Sequence, residues 1–129
     1  MRALLDTHAL LWALTEPGRL GSQARQVLTD SSHELVVSAA SAWEVATKQR
    51  IGRLPQADVL VGAYGRHLDR LGVTRLPMTE EHALLAGQLD WSHRDPFDRM
   101  LAAQAMSETL TLITRDPAFA DLRGIATIW

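Results

Sequence analysis

The sequence predicts an α/β protein in which helices cover both faces of a central, mostly parallel β-sheet. Three observations predict this fold class. Short apolar runs typical of buried strands alternate with longer stretches typical of helices, glycine, proline and capping residues separate the segments, and no repeat or linker interrupts the order. Because 129 residues suit one domain of ordinary size, residues 1–129 are expected to form a single domain.

Five short segments are expected to form the strands of the sheet. The first is an apolar run that ends at an acid, and the second, ELVVS, has an apolar centre with two β-branched valines. Proline follows the third run directly and cannot continue a central strand. The predicted strands are Ala3–Leu5, Glu34–Ser38, Val73–Leu76, Leu110–Thr114 and, at the sheet edge, Ile125–Trp129.

The segments between the strands carry the signals that begin and end helices. Pro17-Gly18 stops the first helix, Gly52 and Gly72 close two later helices, and Thr79 supplies a side-chain cap. The predicted helices are His8–Leu14, Ser22–Leu28, Ala40–Ile51, Ala57–Leu71, the segment from the Thr79 cap to Leu89, and Phe97–Ser107.

Composition excludes several classes of protein. The chain has no cysteine, so it cannot form a disulfide scaffold, a zinc–thiolate site, an iron–sulfur cluster or a thiol nucleophile, and a reducing compartment suits it. A net charge of −2 opposes binding of nucleic acid by electrostatics alone. The opening MRALLDTHALLWAL is too short and too polar to span a membrane, and no cleavage site follows it, so a cytoplasmic protein is expected.

Acidic residues from distant parts of the sequence are expected at one edge of the sheet. Asp6 follows the first strand directly, and Asp116 lies two residues after the strand that ends at Thr114. Glu44 and Asp98 each lie in the first turn of a predicted helix, and helices that connect parallel strands begin at that same carboxyl edge. Asp95 is close enough in sequence to be a fifth member.

Capping of helices is the alternative explanation for most of these acids. Asp95 precedes a proline at the first helical position, Ser41 and Glu44 have the spacing of a capping box, and Asp116 also precedes a proline. Such caps each contribute about 1 kcal/mol to stability. Asp6 is harder to explain in this way, because it interrupts an apolar run at the end of a buried strand.

Carboxylates grouped at one site repel one another and raise one another's pKa values unless a cation is present. The cation that suits an all-oxygen site is Mg²⁺ or Mn²⁺, which orients a water and neutralises charge on a phosphoryl oxygen. The acids therefore predict hydrolysis or transfer at a phosphate ester. The hydroxyls of Thr7, Ser38 and Thr114 are placed to hydrogen-bond a carboxylate or a metal-bound water, with backbone capping as the alternative.

The acids lie in four segments, LLDTHALLWAL, SAASAWEVATKQRIGRL, HRDPFDRMLAAQA and LITRDPAF. These segments resemble the motifs of the PIN-domain ribonucleases, and specifically of the VapC-like toxins of bacterial toxin–antitoxin pairs. The resemblance covers nearly the whole chain, and HRDPFDRMLAAQA is its most specific part. It assigns the acids of the family to Asp6, Glu44, Asp98 and Asp116, with Asp95 as an auxiliary.

The resemblance implies a compact α/β/α sandwich and an endoribonuclease that depends on Mg²⁺ or Mn²⁺. A metal-activated water would attack an RNA phosphodiester, with Asp6, Asp98 and Asp116 as metal ligands. Glu44 is a further ligand or the base that positions the water, and Asp95 is a further candidate ligand. The resemblance also implies a cognate antitoxin protein that blocks the site, and a homodimer as the usual assembly.

Three arginines flank the acids, and we expect them to hold the phosphate backbone of the RNA substrate. They are Arg94, Arg99 and Arg115. Pairing with nearby acids or exposure to solvent is the alternative. Lys48 lies four residues after Glu44, so an ion pair across one helical turn is favoured over a phosphate contact.

Two histidines also flank the acids. His8 and His93 each lack a second histidine at helical ligand spacing, so metal binding is the less favoured role for both, and His8 is expected to support the site or the helix start.

Three other functions are alternatives to a nuclease. A receiver domain needs an acid pair at the end of the first strand and a lysine at the end of a late strand, whereas here Asp6 stands alone and the late strand ends in Thr114-Arg115-Asp116. A phosphatase of the haloacid dehalogenase type needs Asp-x-Asp at the first strand, and the second acid is missing from Asp6-Thr7-His8. A non-catalytic module that binds RNA or protein stays open as the alternative to a nuclease.

Overall fold

The computed structural model describes residues 1–55 and 57–129. Its sheet is formed by Arg2–Leu5 (β1), Glu34–Ser38 (β2), Thr74–Leu76 (β3), Thr111–Ile113 (β4) and Ala126–Ile128 (β5). The spatial order is β3-β2-β1-β4-β5, and every neighbouring pair is parallel. The predicted α/β fold class is confirmed, and β5 lies at the sheet edge as expected.

Seven α-helices connect the strands within the described residues. They are Thr7–Thr15 (α1), Ser22–Thr29 (α2), Ala39–Arg50 (α3), Ala57–Val61 (α4), Tyr64–Leu71 (α5), Glu80–Gln88 (α6) and Pro96–Ser107 (α7), with short 3-10 helices at Pro17–Arg19 and Pro117–Asp121. The predicted helix-ending glycines, Gly52 and Gly72, both adopt left-handed backbone conformations, with φ of 72° and 74°. None of these helices is both long and apolar enough to cross a bilayer.

One predicted helix, Ala57–Leu71, is in fact two helices, because α4 ends at Val61 and α5 begins at Tyr64. Gly62 at the break has a low helix propensity. The two halves also pack against different partners. Leu60 of α4 lies in a small cluster with Leu11 and Val45, whereas Leu68 of α5 lies in the main core on the sheet. A single straight helix would not bury both leucines in these separate places.

Alternate residues along the strands face opposite layers of helices. Leu5 and Val37 pack in a core with residues of α1, α2 and α5. Leu4 and Leu112 pack on the other face of the sheet, mainly against Leu101 and its neighbours on α7. The two buried faces explain why the strands are apolar throughout and not alternating, and they form the three-layer α/β/α sandwich.

The strand order reverses between β1 and β4. After β1 the chain builds β2 and β3 on one side, and it then returns to add β4 and β5 on the other. The last residues of the two central strands pair in register, Leu5 with Ile113, and the Asp6 amide donates to the Ile113 carbonyl at 3.0 Å. In parallel α/β sheets the crevice beyond such a reversal is where ligands bind.

Candidate active site

A cavity of about 560 Å³ opens beyond the carboxyl ends of β1 and β4, at the reversal of the sheet. All five acids predicted from the sequence line it, although they come from separate elements. The lining residues are Asp6, Thr7, His8, Leu11, Trp12, Arg19, Glu44, Lys48, Leu54, His93, Asp95, Asp98, Arg115 and Asp116. The structure therefore brings Asp6, Glu44, Asp95, Asp98 and Asp116 to one place.

Asp6 both caps a helix and faces the cavity. Its Oδ1 accepts the Ala9 amide at 2.7 Å, which caps α1, while the side chain as a whole is buried. Burial raises the pKa of Asp6, and the charge of Glu44 adds to the rise, whereas hydrogen bonds from Thr114 and Ala9 and the charge of His8 act to lower it. Capping and a role in the site are thus compatible in one carboxylate.

Glu44 lies one turn deeper in its helix than predicted. Helix α3 starts at Ala39 with Ser38 as its cap, whose Oγ accepts the Ala40 amide at 3.0 Å, so Glu44 is in the second turn and is not part of a capping box. The reason is that β2 runs into α3 without a loop. The buried Glu44 carboxylate pairs with the Lys48 ammonium across one turn, which confirms the ion pair expected from their spacing.

Asp98 lies in the first turn of α7, as predicted, and Asp95 caps that helix. Asp95 Oδ1 accepts the amides of Phe97 at 2.8 Å and Asp98 at 3.2 Å. Burial raises the pKa of Asp98 to about 6, in spite of a hydrogen bond from His93 that lowers it, and the charges of Asp95 and Glu44 raise it further. Burial therefore disfavours its ionised form, which a cation would stabilise.

Asp116 is the exposed member of the group. Its Oδ1 accepts the Ala118 amide at 2.9 Å and caps the 3-10 helix that starts at Pro117, as the Asp-Pro pattern indicated. The Asp116 amide in turn donates to the Thr114 hydroxyl at 3.1 Å. The carboxylate therefore stands at the mouth of the cavity on a short, anchored turn.

His93 lies beside two of the acids, although the sequence predicted metal binding as its less favoured role. Its Nε2 lies 2.7 Å from Asp98 Oδ2, and one ligand atom each from His93, Asp98 and Asp116 lies within 4.8 Å of the other two. Two carboxylates and an imidazole from separate segments form a donor set that fits a divalent cation. The only signal in the sequence was a histidine two residues before Asp95, without the second histidine that would mark a helical site.

Comparison with known families assigns the chain. The family model of the PIN domain matches residues 3–125. The chain belongs to the PIN domain family. Over 116 residues it is 29% identical to Ribonuclease VapC22 of Mycobacterium tuberculosis, a match that covers 88% of this chain and 85% of that protein.

Solved structures share the fold of this PIN domain. VapBC2 from Rickettsia felis, bound to a DNA fragment from its promoter, superimposes with a TM-score of 0.73 at 14% identity, covering 99% of this chain and 98% of that one. A member of the VapBC family of toxin-antitoxin systems, VapBC-5 from Mycobacterium tuberculosis, gives a TM-score of 0.58 at 19% identity, covering 98% and 95%. At these identities the likeness concerns the fold.

Of the three arginines predicted to hold substrate, Arg94 and Arg99 are not among the residues that line the cavity of this PIN domain. Arg99 turns away from the cavity, and its guanidinium donates to backbone carbonyls at 2.8 to 2.9 Å; the acceptors are Ala86, Leu89, Trp91 and His93. Arg99, which was expected to hold substrate, therefore does not line the cavity, because its donors bind the loop between α6 and α7. Arg94 is exposed and is not among the cavity-lining residues.

Arg115 is the predicted arginine that does reach the cavity of the PIN domain. Its guanidinium carbon lies 4.6 Å from the centroid of the Trp12 ring, at a distance that favours a cation–π contact. Arg19, which the sequence did not single out, lies 5.8 Å from the same ring and also lines the cavity. The cations at the site are thus Arg19, Lys48 and Arg115.

Two threonines next to the acids, Thr7 and Thr114, hold neighbouring groups of the site by hydrogen bonds. Thr7 is buried and donates its hydroxyl to Ser41 Oγ at 3.2 Å, which joins the start of α1 to α3. Thr114 hydrogen-bonds toward Asp6 and accepts the Asp116 amide. Both hydroxyls therefore fix backbone or carboxylate groups at the carboxyl ends of β1 and β4.

Proposed function

We propose that this PIN domain is a metal-dependent endoribonuclease and the toxin of a toxin–antitoxin pair. The observation that carries the proposal is the convergence of Asp6, Glu44, Asp98 and Asp116 on one cavity at the reversal of the sheet. The similarity to Ribonuclease VapC22 supports RNA as the substrate. The membership in the PIN domain family supports hydrolysis of a phosphodiester.

Asp6, Asp98 and Asp116 are the residues to which we assign Mg²⁺ or Mn²⁺, with Glu44 and Asp95 beside them. The donor set fits, because it offers several carboxylate oxygens whose charges repel one another until a cation joins them. When bound, such an ion makes water more acidic and neutralises charge on a phosphoryl oxygen.

Other residues of the cavity would position water, bind RNA and hold the acids in place. Glu44, paired with the Lys48 ammonium, offers a carboxylate oxygen to a water that enters the cavity. We assign binding of the RNA phosphate backbone to Arg115 and Arg19, which lie beside the Trp12 ring. Their positive charges offset the repulsion between RNA and the acids. The oxygens that cap helices, on Asp6, Asp95 and Asp116, hold the acids in place before substrate arrives.

The test uses the purified chain with a panel of structured RNAs in Mg²⁺, in Mn²⁺ or in EDTA. We expect cleavage with either ion and none in EDTA. Asp6→Asn should abolish cleavage while it keeps an oxygen for the α1 cap, and the exposed Asp121→Asn is the matched control that should cleave normally.

Cleavage that persists in EDTA would overturn the metal mechanism. Binding of RNA without cleavage under any condition would favour the alternative, a non-catalytic module whose acids serve only as caps. In that case Asp6→Asn, which keeps an oxygen for the α1 cap, should bind RNA as tightly as wild type.

The antitoxin partner and a homodimer belong to the same proposal. The shared fold with VapBC-5 supports the partner, since VapBC-5 is a member of the VapBC family of toxin-antitoxin systems. We expect expression of the chain alone to arrest growth, and co-expression of an antitoxin encoded next to it to relieve the arrest. Arrest by Asp6→Asn at the same protein level would contradict a toxic ribonuclease, and light scattering of the pure chain would give its oligomeric state.

A further inference from the structure

We propose that His93 supplies an imidazole nitrogen to the divalent ion, and that this nitrogen makes the site prefer Mn²⁺ to Mg²⁺. The inference rests on the metal-dependent function proposed above and goes beyond it by naming a ligand and a preferred ion. It departs from the all-oxygen site that the sequence predicted.

The spacing of the donor atoms supports His93 as a ligand. His93 Nε2 lies 2.7 Å from Asp98 Oδ2, and ligand atoms of His93, Asp98 and Asp116 all lie within 4.8 Å of one another. In an octahedral site with bonds of about 2.1 Å, neighbouring ligand atoms lie about 3 Å apart and opposite ones about 4 Å apart. The 2.7 Å pair is close to the spacing of neighbouring ligands, and the 4.8 Å limit exceeds the spacing of opposite ligands by about 1 Å. Small side-chain shifts, with the His93–Asp98 hydrogen bond exchanged for bonds to the ion, would bring the three donors around one ion.

The imidazole is held at the cavity by its surroundings. Its ring packs against the Trp91 ring with centroids 4.9 Å apart. The backbone on either side is fixed by Arg99, which donates to the carbonyls of Trp91 and His93 at 2.9 Å each. Because the ring is already ordered and lines the cavity, little conformational freedom is lost when it binds an ion.

The identity of the donor predicts the preference between ions. Mg²⁺ takes oxygen ligands and keeps several waters, whereas an imidazole nitrogen favours transition-metal ions. Of the two ions that the carboxylates suit, Mn²⁺ is the transition-metal ion. His8 also lines the cavity but is exposed and is not part of the three-residue group, so it offers a matched control on the same surface.

The test measures Mn²⁺ binding by electron paramagnetic resonance, with pulsed detection of nitrogen nuclei coupled to the bound ion. Wild type and His8→Gln should show ¹⁴N coupling, and His93→Gln should lose it. Labelling the wild type with ¹⁵N-histidine should replace the ¹⁴N signal by a ¹⁵N signal, which shows that the bound nitrogen belongs to a histidine. Persistence of the signal in His8→Gln and its loss in folded His93→Gln then assign it to His93.

We expect His93→Gln to weaken Mn²⁺ binding at least about tenfold, since even side chains that only orient a ligand contribute that much. The affinity for Mg²⁺, measured by its competition with Mn²⁺, should fall less in His93→Gln, because Mg²⁺ gains little from a nitrogen donor. Absence of histidine nitrogen coupling in the Mn²⁺-loaded wild type, or coupling that survives in His93→Gln, would overturn the inference while EDTA-sensitive RNA cleavage kept the proposed function. Failure of the wild type to bind Mn²⁺ or Mg²⁺ at all would overturn both.

Discussion

Helix α7 has a histidine–carboxylate pair at each end, and the two pairs serve different purposes. At its C-terminal end, His82 Nε2 lies 2.9 Å from Glu108 Oε1; at its N-terminal end, His93 Nε2 lies 2.7 Å from Asp98 Oδ2. His82 is buried, and its Nδ1 accepts the Thr79 amide as part of a capping box. Its proton is therefore on Nε2 and is donated to Glu108, so both ring nitrogens are committed.

The pair at the N-terminal end has more carboxylates around it. Asp98 feels the charges of Asp95 and Glu44, and its pKa is raised to about 6 mainly by burial. His93 is partly exposed and shares the cavity with Asp116. The same two chemical groups thus support the N-terminal cap of α6 beside the C-terminal end of α7, and they form part of a cation-ready group at the N-terminal end of α7. What differs is the number of neighbouring acids and the access of solvent.

The largest expected difference between the two ends of α7 is in RNA cleavage when the carboxylate of each pair is replaced by its amide. Asp98→Asn removes a charge from the acidic group and should lower RNA cleavage by about 100- to 1,000-fold, the scale on which groups that stabilise a transition state act. Glu108→Gln keeps an acceptor for His82 at the other end and should leave cleavage unchanged. Equal losses in the two variants, measured as kcat/KM on one RNA, would mean that the ends do not differ as described.

The arginine that holds the loop next to His93 should have the next largest effect. Arg99→Lys loses most of the hydrogen bonds to four carbonyls and should lower the free energy of unfolding by about 3 kcal/mol, because single hydrogen bonds to charged groups contribute about 1.5–3 kcal/mol. Mn²⁺ affinity should fall as well. Arg94→Lys, at an exposed neighbouring position, is the control, and a similar stability for both variants in urea would contradict this role.

The sequence was sufficient to locate Asp6, Asp98 and Asp116, because their places depend on local signals. A buried strand that ends in an acid, and an acid in the first turn of a helix, both lie at the carboxyl edge in a parallel sheet. Glu44 was placed one turn too early, since the sequence does not reveal that β2 continues into α3 without a loop.

Other features of the site depend on contacts between distant segments. Arg99 is next to an acid in sequence, which suggested phosphate binding, but its carbonyl partners are spread over residues 86 to 93 and are brought to it by the packing of α6 on α7. The position of the His93 ring follows from the loop that those contacts shape. Backbone acceptors leave no trace in residue types, so neither feature could be predicted from the sequence.

Truncation of the two histidines should separate stability from binding. His82→Ala opens a cavity and leaves the Thr79 amide without its partner, so it should lower the free energy of unfolding by about 2 kcal/mol. His93→Ala should cost less than about 1 kcal/mol, because its ring is partly exposed. The folded fraction of His82→Ala should bind Mn²⁺ normally, and weakened Mn²⁺ binding in it would contradict a purely structural role.

The pH dependence of stability should show the smallest effect, since water partly screens the Asp98 carboxyl. With the pKa of Asp98 raised from 3.8 to about 6 in the folded protein, its contribution to stability is fully present below about pH 4 and is lost as pH rises through 6. In EDTA, wild type should therefore lose stability relative to Asp98→Asn between about pH 4 and 6. Thermal unfolding measures the difference.

His93, Asp95 and Glu44 face the same carboxyl, so the imidazole could contribute to that slope. Repeating the pair of measurements in a His93→Gln background removes its titration, and the slope from Asp98 should remain with the same sign, because burial is the main cause of the raised pKa. A flat difference between about pH 4 and 6 would mean that the carboxyl ionises as freely as an exposed one.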